Sequence, residues 1–446
     1  MPELFVASER KRLLSIDVLR GLAALAVVLA HIPHSHGNAV GATFWAMLPL
    51  DFGSIGVPLF IVLSGFCIHS SRARAMAAGE SPQTKWFPFW KRRFVRLYPP
   101  YVASMLFCFA VLAFLNPSET LASLNDLRNW GGDLLSHLGM FHNLTRNYWD
   151  GMGNPPFWSL GLEEQLYALF FVMLLLRSKR SILGVLKISL AVTLAWRFSI
   201  PLLGWVLSHG AGIPHEQQAV ILGPFEFANG AMWPFGWWFL WVLGAVVAEV
   251  RYGLITLPAW CTSRRTLLAL LVFGLLTHKA TLGRFGQFWI RDEGGLSLVR
   301  LFIELVVSLS DLAIAAAGMI VMHDWLKREK QAAFRGPVVD GLAWVGTISY
   351  SLYLTHYRSI NLVERLVPGM DQAGMLVRFL IYIPACLAVA WGFYWLVERH
   401  FLGSSVHQKP RAFSPGSPLS ALPVQPKSVR RQLAVNSESG VAKIDT

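Results

Sequence analysis

The sequence has 446 residues, of which 54% are hydrophobic and 15% are charged, with a formal net charge of +13. Soluble domains carry roughly a quarter charged residues, and apolar stretches of helix-spanning length recur along this chain. This composition excludes a soluble globular protein. The basic residues lie in short clusters between apolar segments, so they indicate membrane orientation and not a nucleic-acid partner.

The apolar stretches predict an all-α fold, a polytopic transmembrane helical bundle of about ten spans. The stretch at 266–278 is the shortest, below the roughly 20 residues that a spanning helix requires. Four scattered cysteines indicate neither a disulfide framework nor a zinc site, so no metal is expected. The predicted spans lie near residues 13–33, 50–70, 98–116, 157–176, 181–207, 232–250, 266–278, 299–322, 341–362 and 376–398.

Lysine and arginine are concentrated in alternate loops, and the opposite loops hold most of the acidic residues. With a cytoplasmic amino terminus, this asymmetry satisfies the positive-inside rule when both termini are cytoplasmic. We therefore predict a cytoplasmic N-terminus over 1–12, a transmembrane domain over 13–402 and a tail over 403–446. The tail is rich in serine and basic residues and poor in aromatic ones, so we expect it to be disordered and cytoplasmic.

The first span contains Asp17 and Arg20 and has His31 near its outer end. Ionisable groups are costly in hydrocarbon, so we expect them to face a protein interior or a wet cavity. Arg20 and His31 are eleven positions apart, which places them on one helix face with a rise of roughly 16 Å. Asp17 lies one turn from Arg20 and can pair with it. The alternative is a structural ion pair with an interfacial histidine.

The second span contains Ser64 beside a glycine, a small pair that lets another backbone or a ligand approach. Arg92, Arg93 and Arg96, called the arginine cluster below, precede a Pro-Pro pair. Alone, such a cluster is most often a juxtamembrane group that faces lipid headgroups. Guanidinium groups also match the oxygens of a phosphate group.

The fourth span begins FWSLGLEEQL and places Trp158, Glu163 and Glu164 at the mouth of an apolar helix. Placing a carboxylate pair there costs free energy, which indicates a functional role. A glutamate could orient His31 or exchange a proton with it. The alternative is a solvated helix start, where acidic residues are favoured.

The ninth span, WVGTISYSLYLTHY, contains Tyr353 within a stripe of serine and tyrosine and has His356 near its outer end. A polar-aromatic stripe more often packs helices together than takes part in catalysis. From this pattern alone, packing is the favoured interpretation for His356.

These segments together resemble the acyltransferase-3 family of bacterial membrane O-acyltransferases over most of residues 13 to 402. Family members commonly follow the ninth-span histidine with an aromatic residue and a proline, whereas Tyr357 and Arg358 follow it here. The resemblance rests on six segments in order: the spacing of Arg20 and His31, PLFIVLSGF, KRRFVRLYPPY, WSLGLE, SYSLYLTH and YWLVERHF.

The resemblance implies an enzyme of the bacterial inner membrane that moves an acyl group, most simply acetyl, from cytoplasmic acetyl-CoA. The acceptor would be a hydroxyl of an extracytoplasmic or lipid-linked carbohydrate such as exopolysaccharide or O-antigen. The arginine cluster would bind the coenzyme, and His31 would be the general base or a transient acyl carrier. Arg20 would anchor the pantetheine arm or stabilise charge, and Glu163 would orient His31. Supporting or substrate-binding roles are expected for Asp17, Ser64, Trp158, Glu164, Tyr353 and His356.

Two other classes of protein stay open at this point. A transporter of a glycan or related solute would need paired broken helices and would move its substrate without a cofactor. A lipid- or glycan-binding scaffold would depend on Arg20 and His31 only for folding. Within the enzyme class, the donor could carry a longer acyl or succinyl group, and the outer loops do not select one acceptor glycan.

Overall fold

The computed structural model describes residues 13–32, 53–118, 127–144, 147–213, 217, 232–278, 298–331, 334–370 and 372–402. The predicted N-terminal segment 1–12 and tail 403–446 lie outside these residues, and the described part of the chain is helical. Its helices are α1 (Leu14–His31), α2 (Gly53–Ala77), α3 (Trp86–Leu115), α4 (Leu127–Leu138), α5 (Trp158–Arg177), α6 (Ile182–His209), α7 (Trp238–Arg251), α8 (Arg264–Thr277), α9 (Leu298–Lys330), α10 (Pro337–Thr347), α11 (Ser349–Leu366) and α12 (Met375–Leu396).

Seven of the described helices are long and apolar enough to cross a membrane: α1, α2, α3, α5, α6, α9 and α12. The remaining predicted spans coincide with α7 and α8, which have 14 residues each, and with the pair α10 and α11. The prediction of an all-helical, multi-pass membrane protein is confirmed. The number of ten spans and the cytoplasmic placement of both termini stay predictions.

The third helix begins twelve residues before the predicted start at 98, at Trp86. The predicted span lies within this longer helix, and Pro99 and Pro100 both lie inside it. Membrane helices tolerate proline where neighbouring groups satisfy the backbone, and the Tyr350 hydroxyl donates to the Leu97 carbonyl 3.0 Å away, just before the prolines. The arginine cluster therefore lies on the helix and not on a loop.

The predicted span 341–362 is two helices, because the chain breaks at Ile348 between α10 and α11. Ile348 has φ −102° and ψ 10°, outside the helical range. Gly346 packs directly on the backbone carbonyl of Asp17, where a Cβ atom would overlap it. This close approach holds α10 against α1, while α11 packs against α1, α3 and α12.

Helices α1 and α2 form the centre of the bundle, with α10 and α11 on one side and α7 and α9 on the other. Small residues make the close packing of α2 and α7 possible. A Cβ atom on Gly65 would overlap the carbonyl of Trp241, and one on Gly244 would overlap the carbonyl of Val62. The backbones of α2 and α7 therefore touch at two places, one helical turn apart.

Buried polar contacts hold the end of the bundle where α1 begins. Glu249 accepts hydrogen bonds from Arg177 Nε at 2.8 Å and contacts His69 Nε2 at 3.1 Å, which joins α7, α5 and α2. The carboxylate of Glu329 in α9 accepts from the backbone amide of Leu14 at 2.8 Å. It thereby caps the orphan amides of the α1 amino terminus, where negative charge is favoured.

Candidate active site

The last turn of α1 and the middle of α11 bring two imidazoles together. His31 Nδ1 lies 3.3 Å from Nε2 of His356, and the ring centroids are 5.0 Å apart at an interplanar angle of 62°. His356 is fully buried, and the ring of Tyr357 packs edge-on against His31 with centroids 5.6 Å apart. The two histidines that the sequence places in separate spans therefore form one unit.

Backbone carbonyls around the histidines determine which nitrogen of each ring carries the proton. His356 Nδ1 lies 2.9 Å from the carbonyl of Tyr353, which can only accept, so this nitrogen is the N–H donor of a neutral ring. Its Nε2 is then an acceptor. His31 Nδ1 lies 2.8 Å from the carbonyl of Val27 and donates to that oxygen and to His356. The lone pair of neutral His31 is consequently on Nε2, the nitrogen that a general base uses.

Arg20 lies on the same face of α1, eleven residues and roughly 16 Å from His31. Its guanidinium donates to Sγ of Cys67 in α2 over 3.2 Å and lies 4.0 Å from the carboxylate of Asp17. The charge of Glu163 also reaches Arg20. Arg20 therefore links α1 to α2, and Glu163 of α5 lies within electrostatic range of this polar cluster.

Glu163 is held in this cluster by a tyrosine of its own helix. Its carboxylate accepts a hydrogen bond from the Tyr167 hydroxyl at 2.6 Å. The Arg93 guanidinium lies over the ring of the same tyrosine, 5.6 Å from the ring centroid. The contacts described for the His31 ring thus come from His356, Tyr357 and Val27, whereas the hydrogen bond described for Glu163 comes from Tyr167.

Several buried polar atoms between α2, α3 and α5 have no hydrogen-bond partner among the described residues. They are Ser64 Oγ, Tyr101 OH, Glu164 Oε1 and Arg93 Nε. Buried polar atoms are nearly always satisfied, and an orphaned set marks a place that a ligand or water fills. Ser64 lies one turn from Cys67, and Glu164 is adjacent to Glu163. Arg93 also packs over the ring of Tyr167, which holds Glu163, so its unpartnered Nε lies beside Glu163.

The arginine cluster lies in the first turns of α3, at the end of the bundle where α1 begins. Arg92 and Arg96 are exposed and lie one turn apart, whereas Arg93 is partly buried between Phe89 and Tyr167. The charge of Arg96 interacts with that of Arg20. Positive charge therefore continues from the surface of the protein into the polar cluster.

Tyr353 and Trp158 fix the start of α5. The Tyr353 hydroxyl donates to the carbonyl of Pro156 at 2.8 Å and lies 2.5 Å from the hydroxyl of Ser159. The Trp158 ring packs against that of Trp237, with centroids 6.0 Å apart. Both contacts anchor the turn that leads into Glu163 and Glu164.

Glu398 and Cys67 are two residues of this region that the sequence did not single out as site residues. Glu398 follows α12 and accepts from the backbone amide and hydroxyl of Ser351, at 3.1 and 2.5 Å. Burial raises its pKa above the usual range for glutamate, and the two hydrogen bonds from Ser351, followed by the charges of Arg96 and Arg20, oppose that shift. An acidic residue just after an apolar helix was the available signal for Glu398. Nothing in the apolar run around Cys67 indicates its contact with Arg20.

Beyond the histidine pair, a second pair of imidazoles stacks near the start of α5. The rings of His137 and His142 lie 3.9 Å apart at 10°. Nε2 of His142 donates to the carbonyl of Phe157 at 3.0 Å. Burial, followed by the nearby His137, lowers the pKa of His142 to about 4. This stack supports the turn at Pro155–Phe157 that precedes α5.

No group of three or more His, Cys, Asp or Glu side chains in the described part of the chain is arranged to hold a metal ion. The polar elements are instead a histidine pair at one level of the bundle and an arginine–carboxylate cluster at another. Both lie on one face of α1. Fold and site together define a multi-pass helical membrane protein with polar groups buried at two levels of the bundle.

Comparison with known families identifies this class of protein. The model described as "Acyltransferase domain", acyltransferase-3, matches residues 13–395. The chain therefore belongs to the acyltransferase-3 family and carries an acyltransferase domain. The resemblance seen in the six sequence segments is confirmed.

Individual relatives agree with this assignment. The chain is 27% identical over 366 residues to peptidoglycan O-acetyltransferase OatA of Listeria monocytogenes, which covers 79% of this chain and 50% of the relative. YrhL of Bacillus subtilis, named as a candidate peptidoglycan O-acetyltransferase, is 31% identical over 166 residues, 35% of this chain and 22% of the relative. The chain thus spans about half the length of OatA, and its match to YrhL covers a smaller share of that relative. No solved structure matches it significantly.

Proposed function

We propose that this protein is an O-acetyltransferase of the bacterial inner membrane. It moves an acetyl group from cytoplasmic acetyl-CoA to a hydroxyl of a carbohydrate on the opposite side of the membrane. The observation that carries this proposal is the contact of His31 with His356, because it leaves the lone pair of His31 on Nε2. The names of the relatives, which describe O-acetyl transfer to peptidoglycan, support the reaction type and a glycan acceptor.

In this proposal the histidine pair activates the acceptor. Nε2 of His31 takes the proton of the acceptor hydroxyl as its oxygen bonds to the thioester carbonyl carbon. The C–S bond breaks, and the departing coenzyme A thiolate receives the proton from the imidazolium. His356 is a positioning residue: its Nε2 accepts from Nδ1–H of His31 and stabilises the positive charge that forms there. A route through an acetyl-His31 intermediate uses the same atoms in two steps.

The acetyl-CoA donor would bind at the level of Arg20 and the arginine cluster. Arg92 and Arg96 are exposed and suited to the coenzyme phosphates, which forked guanidinium groups bind well. Arg20, beside Cys67, would contact the pantetheine arm or the thioester. The unsatisfied atoms of Ser64 and Glu164 are available to hydrogen-bond the amides of that arm. The arm would then extend along α1 toward His31.

The test uses membranes that contain the protein and labelled acetyl-CoA. His31→Ala should abolish the transfer of label into alkali-labile esters of envelope glycan at unchanged protein level. His209→Ala is the matched control, because His209 is an exposed histidine at the end of α6, and it should retain transfer. Retained transfer by His31→Ala would contradict the proposal. Replacing acetyl-CoA by succinyl-CoA in the same assay tests the identity of the acyl group.

A further inference from the structure

A cavity of about 420 Å³ opens beside the histidine pair, between the end of α3 and α11. Its volume falls in the range of small-ligand sites, roughly 300–1,000 Å³. Tyr357 forms part of its wall, and the same ring packs against His31. The cavity is therefore one aromatic ring away from the proposed general base. Its polar lining consists of Asn116, Tyr357, Arg358, Asn361, Glu364 and Arg365.

Arg358 gives this cavity its electrostatic character. The guanidinium donates to the carbonyl of Gly153 and to Oδ1 of Asn361, the latter at 3.0 Å, and packs over the Tyr357 ring at 5.3 Å. All of these groups are neutral. Among the described residues, the hydrogen-bond partners of this partly buried cation thus include no carboxylate.

The other charged groups of the lining do not cancel this charge. Arg365 is exposed one turn beyond Asn361, and Glu364 accepts a hydrogen bond from the Tyr382 hydroxyl at 3.4 Å. The lining carries two arginines against one glutamate, so its net charge is positive. A partly buried guanidinium whose described hydrogen-bond partners are neutral favours an anionic ligand, to which it can donate charge-assisted hydrogen bonds.

The neutral part of the lining has the chemistry of a sugar site. Asn116 and Asn361 offer amide donors and acceptors to hydroxyl groups, and Tyr357 offers an aromatic face with a polar tip. Such a mixture of a few polar groups and an aromatic wall is typical of specific small-ligand pockets. A hydroxyl of a ligand placed here would lie on the His31 side of the bundle.

We propose that this cavity is the acceptor subsite and that it takes a carbohydrate carrying an anionic group, which Arg358 and Arg365 bind. This inference rests on the proposed function and deepens it by naming the acceptor class. Tyr357 would pack against the sugar ring on one side and His31 on the other. The anionic group fixes the register, so that a hydroxyl of the next sugar, where the glycan extends past the Tyr357 ring, is presented to Nε2 of His31.

The experiment labels the endogenous acceptor. Membranes with the protein receive labelled acetyl-CoA, and the released labelled glycans are separated on an anion exchanger at a pH where carboxylates and phosphates are charged. The label should be retained by the exchanger. Phosphatase treatment of the retained material then distinguishes a phosphate from a carboxylate as its source of charge.

Substitutions of Arg358 and Arg365 test whether the cavity binds the anionic group of the acceptor. Arg358→Gln and Arg365→Gln should each lower label in the retained fraction, about 10- to 100-fold for Arg358, which corresponds to losing one charged hydrogen bond. Arg358→Lys should recover part of the transfer. Arg328→Gln removes an exposed arginine of α9 that pairs with Asp324, and it should transfer at the wild-type level. Arg365→Gln keeps the test valid if Arg358→Gln fails to fold, because Arg365 is exposed.

The outcomes separate this inference from the proposed function. Label found only in neutral glycans, or wild-type transfer by both arginine variants, would overturn the anionic acceptor while leaving O-acetyl transfer intact. Label absent from every glycan fraction, or unaffected by His31→Ala, would overturn the proposed function itself.

Discussion

His356 Nε2 lies 3.3 Å from His31 Nδ1, although 325 residues of sequence separate the two histidines. Two backbone carbonyls hold Nδ1 of His356, at 2.9 and 3.2 Å, so this ring is oriented by its own helix and in turn orients His31. The arrangement is that of a base held by a neighbouring group, in which a neutral imidazole takes the position that a carboxylate occupies in many hydrolases.

Removing the orienting ring should slow the reaction without weakening donor binding. We expect His356→Ala to lower kcat about 10- to 100-fold, because it leaves Nδ1–H of His31 with one acceptor fewer at the moment of charge formation. The KM for acetyl-CoA should change less than about threefold. His356→Gln should restore part of the rate, since its amide oxygen can accept. A variant that raises KM and leaves kcat unchanged would assign His356 to donor binding instead.

Cys67 provides a chemical probe of the donor site. It is half-buried beside Arg20, whereas Cys108 and Cys386 are buried. Treatment with a maleimide should therefore inactivate the wild-type protein, and coenzyme A should protect it. Cys67→Ser should keep activity within about tenfold of wild type, because a hydroxyl can still accept from Arg20, and should resist the reagent.

Cys261 is the matched control for this experiment, as it is also half-buried but lies in a turn between α7 and α8. Cys261→Ser should remain as sensitive to the reagent as the wild type. Inactivation that persists in Cys67→Ser and disappears in Cys261→Ser would place the donor elsewhere.

Because α2 packs closely on α7, replacing a glycine by alanine should destabilise the protein at Gly244 in α7 but not at Gly392 in α12. Gly244→Ala puts a Cβ against the carbonyl of Val62 and should destabilise the protein by about 1–3 kcal/mol. At Gly392 in α12 a Cβ meets open space, so Gly392→Ala should be neutral or stabilising by about 0.5–1 kcal/mol. Thermal unfolding of purified protein in one detergent measures both. Equal stability of the two variants would mean that α2 and α7 are less closely packed than described.

Local sequence was enough to locate most of the bundle and not enough to pair its residues. Hydropathy located α1 and α5 within about two residues, since charged or polar residues flank both apolar runs. The break at Ile348 escaped prediction, because the close contact of Gly346 with Asp17 is a property of two helices far apart in sequence. The same holds for the partner of His31. The local pattern favoured packing for His356, and only tertiary structure brings its ring to α1.

Stability should decrease on acidification because of the buried stack of His137 and His142. Unfolded histidine titrates near 6.5, whereas burial and the adjacent His137 lower the pKa of His142 to about 4 in the folded protein. Between these values the unfolded chain binds a proton that the folded chain does not, so the free energy of unfolding should fall by about 1.4 kcal/mol per pH unit from this group. The contribution is complete above pH 6.5 and is lost as the pH approaches 4.

Replacing this imidazole tests the sign and the size of the effect. His142→Gln keeps a donor for the carbonyl of Phe157 and should flatten the decline in melting temperature between pH 6.5 and 4. His209→Gln, at an exposed position, should leave the wild-type slope. The measurement is thermal unfolding in detergent at half-unit pH steps, with transfer activity assayed after return to neutral pH. A wild-type slope retained by His142→Gln would show that other groups cause the acid sensitivity, and the stack would then be a packing contact without a titration role.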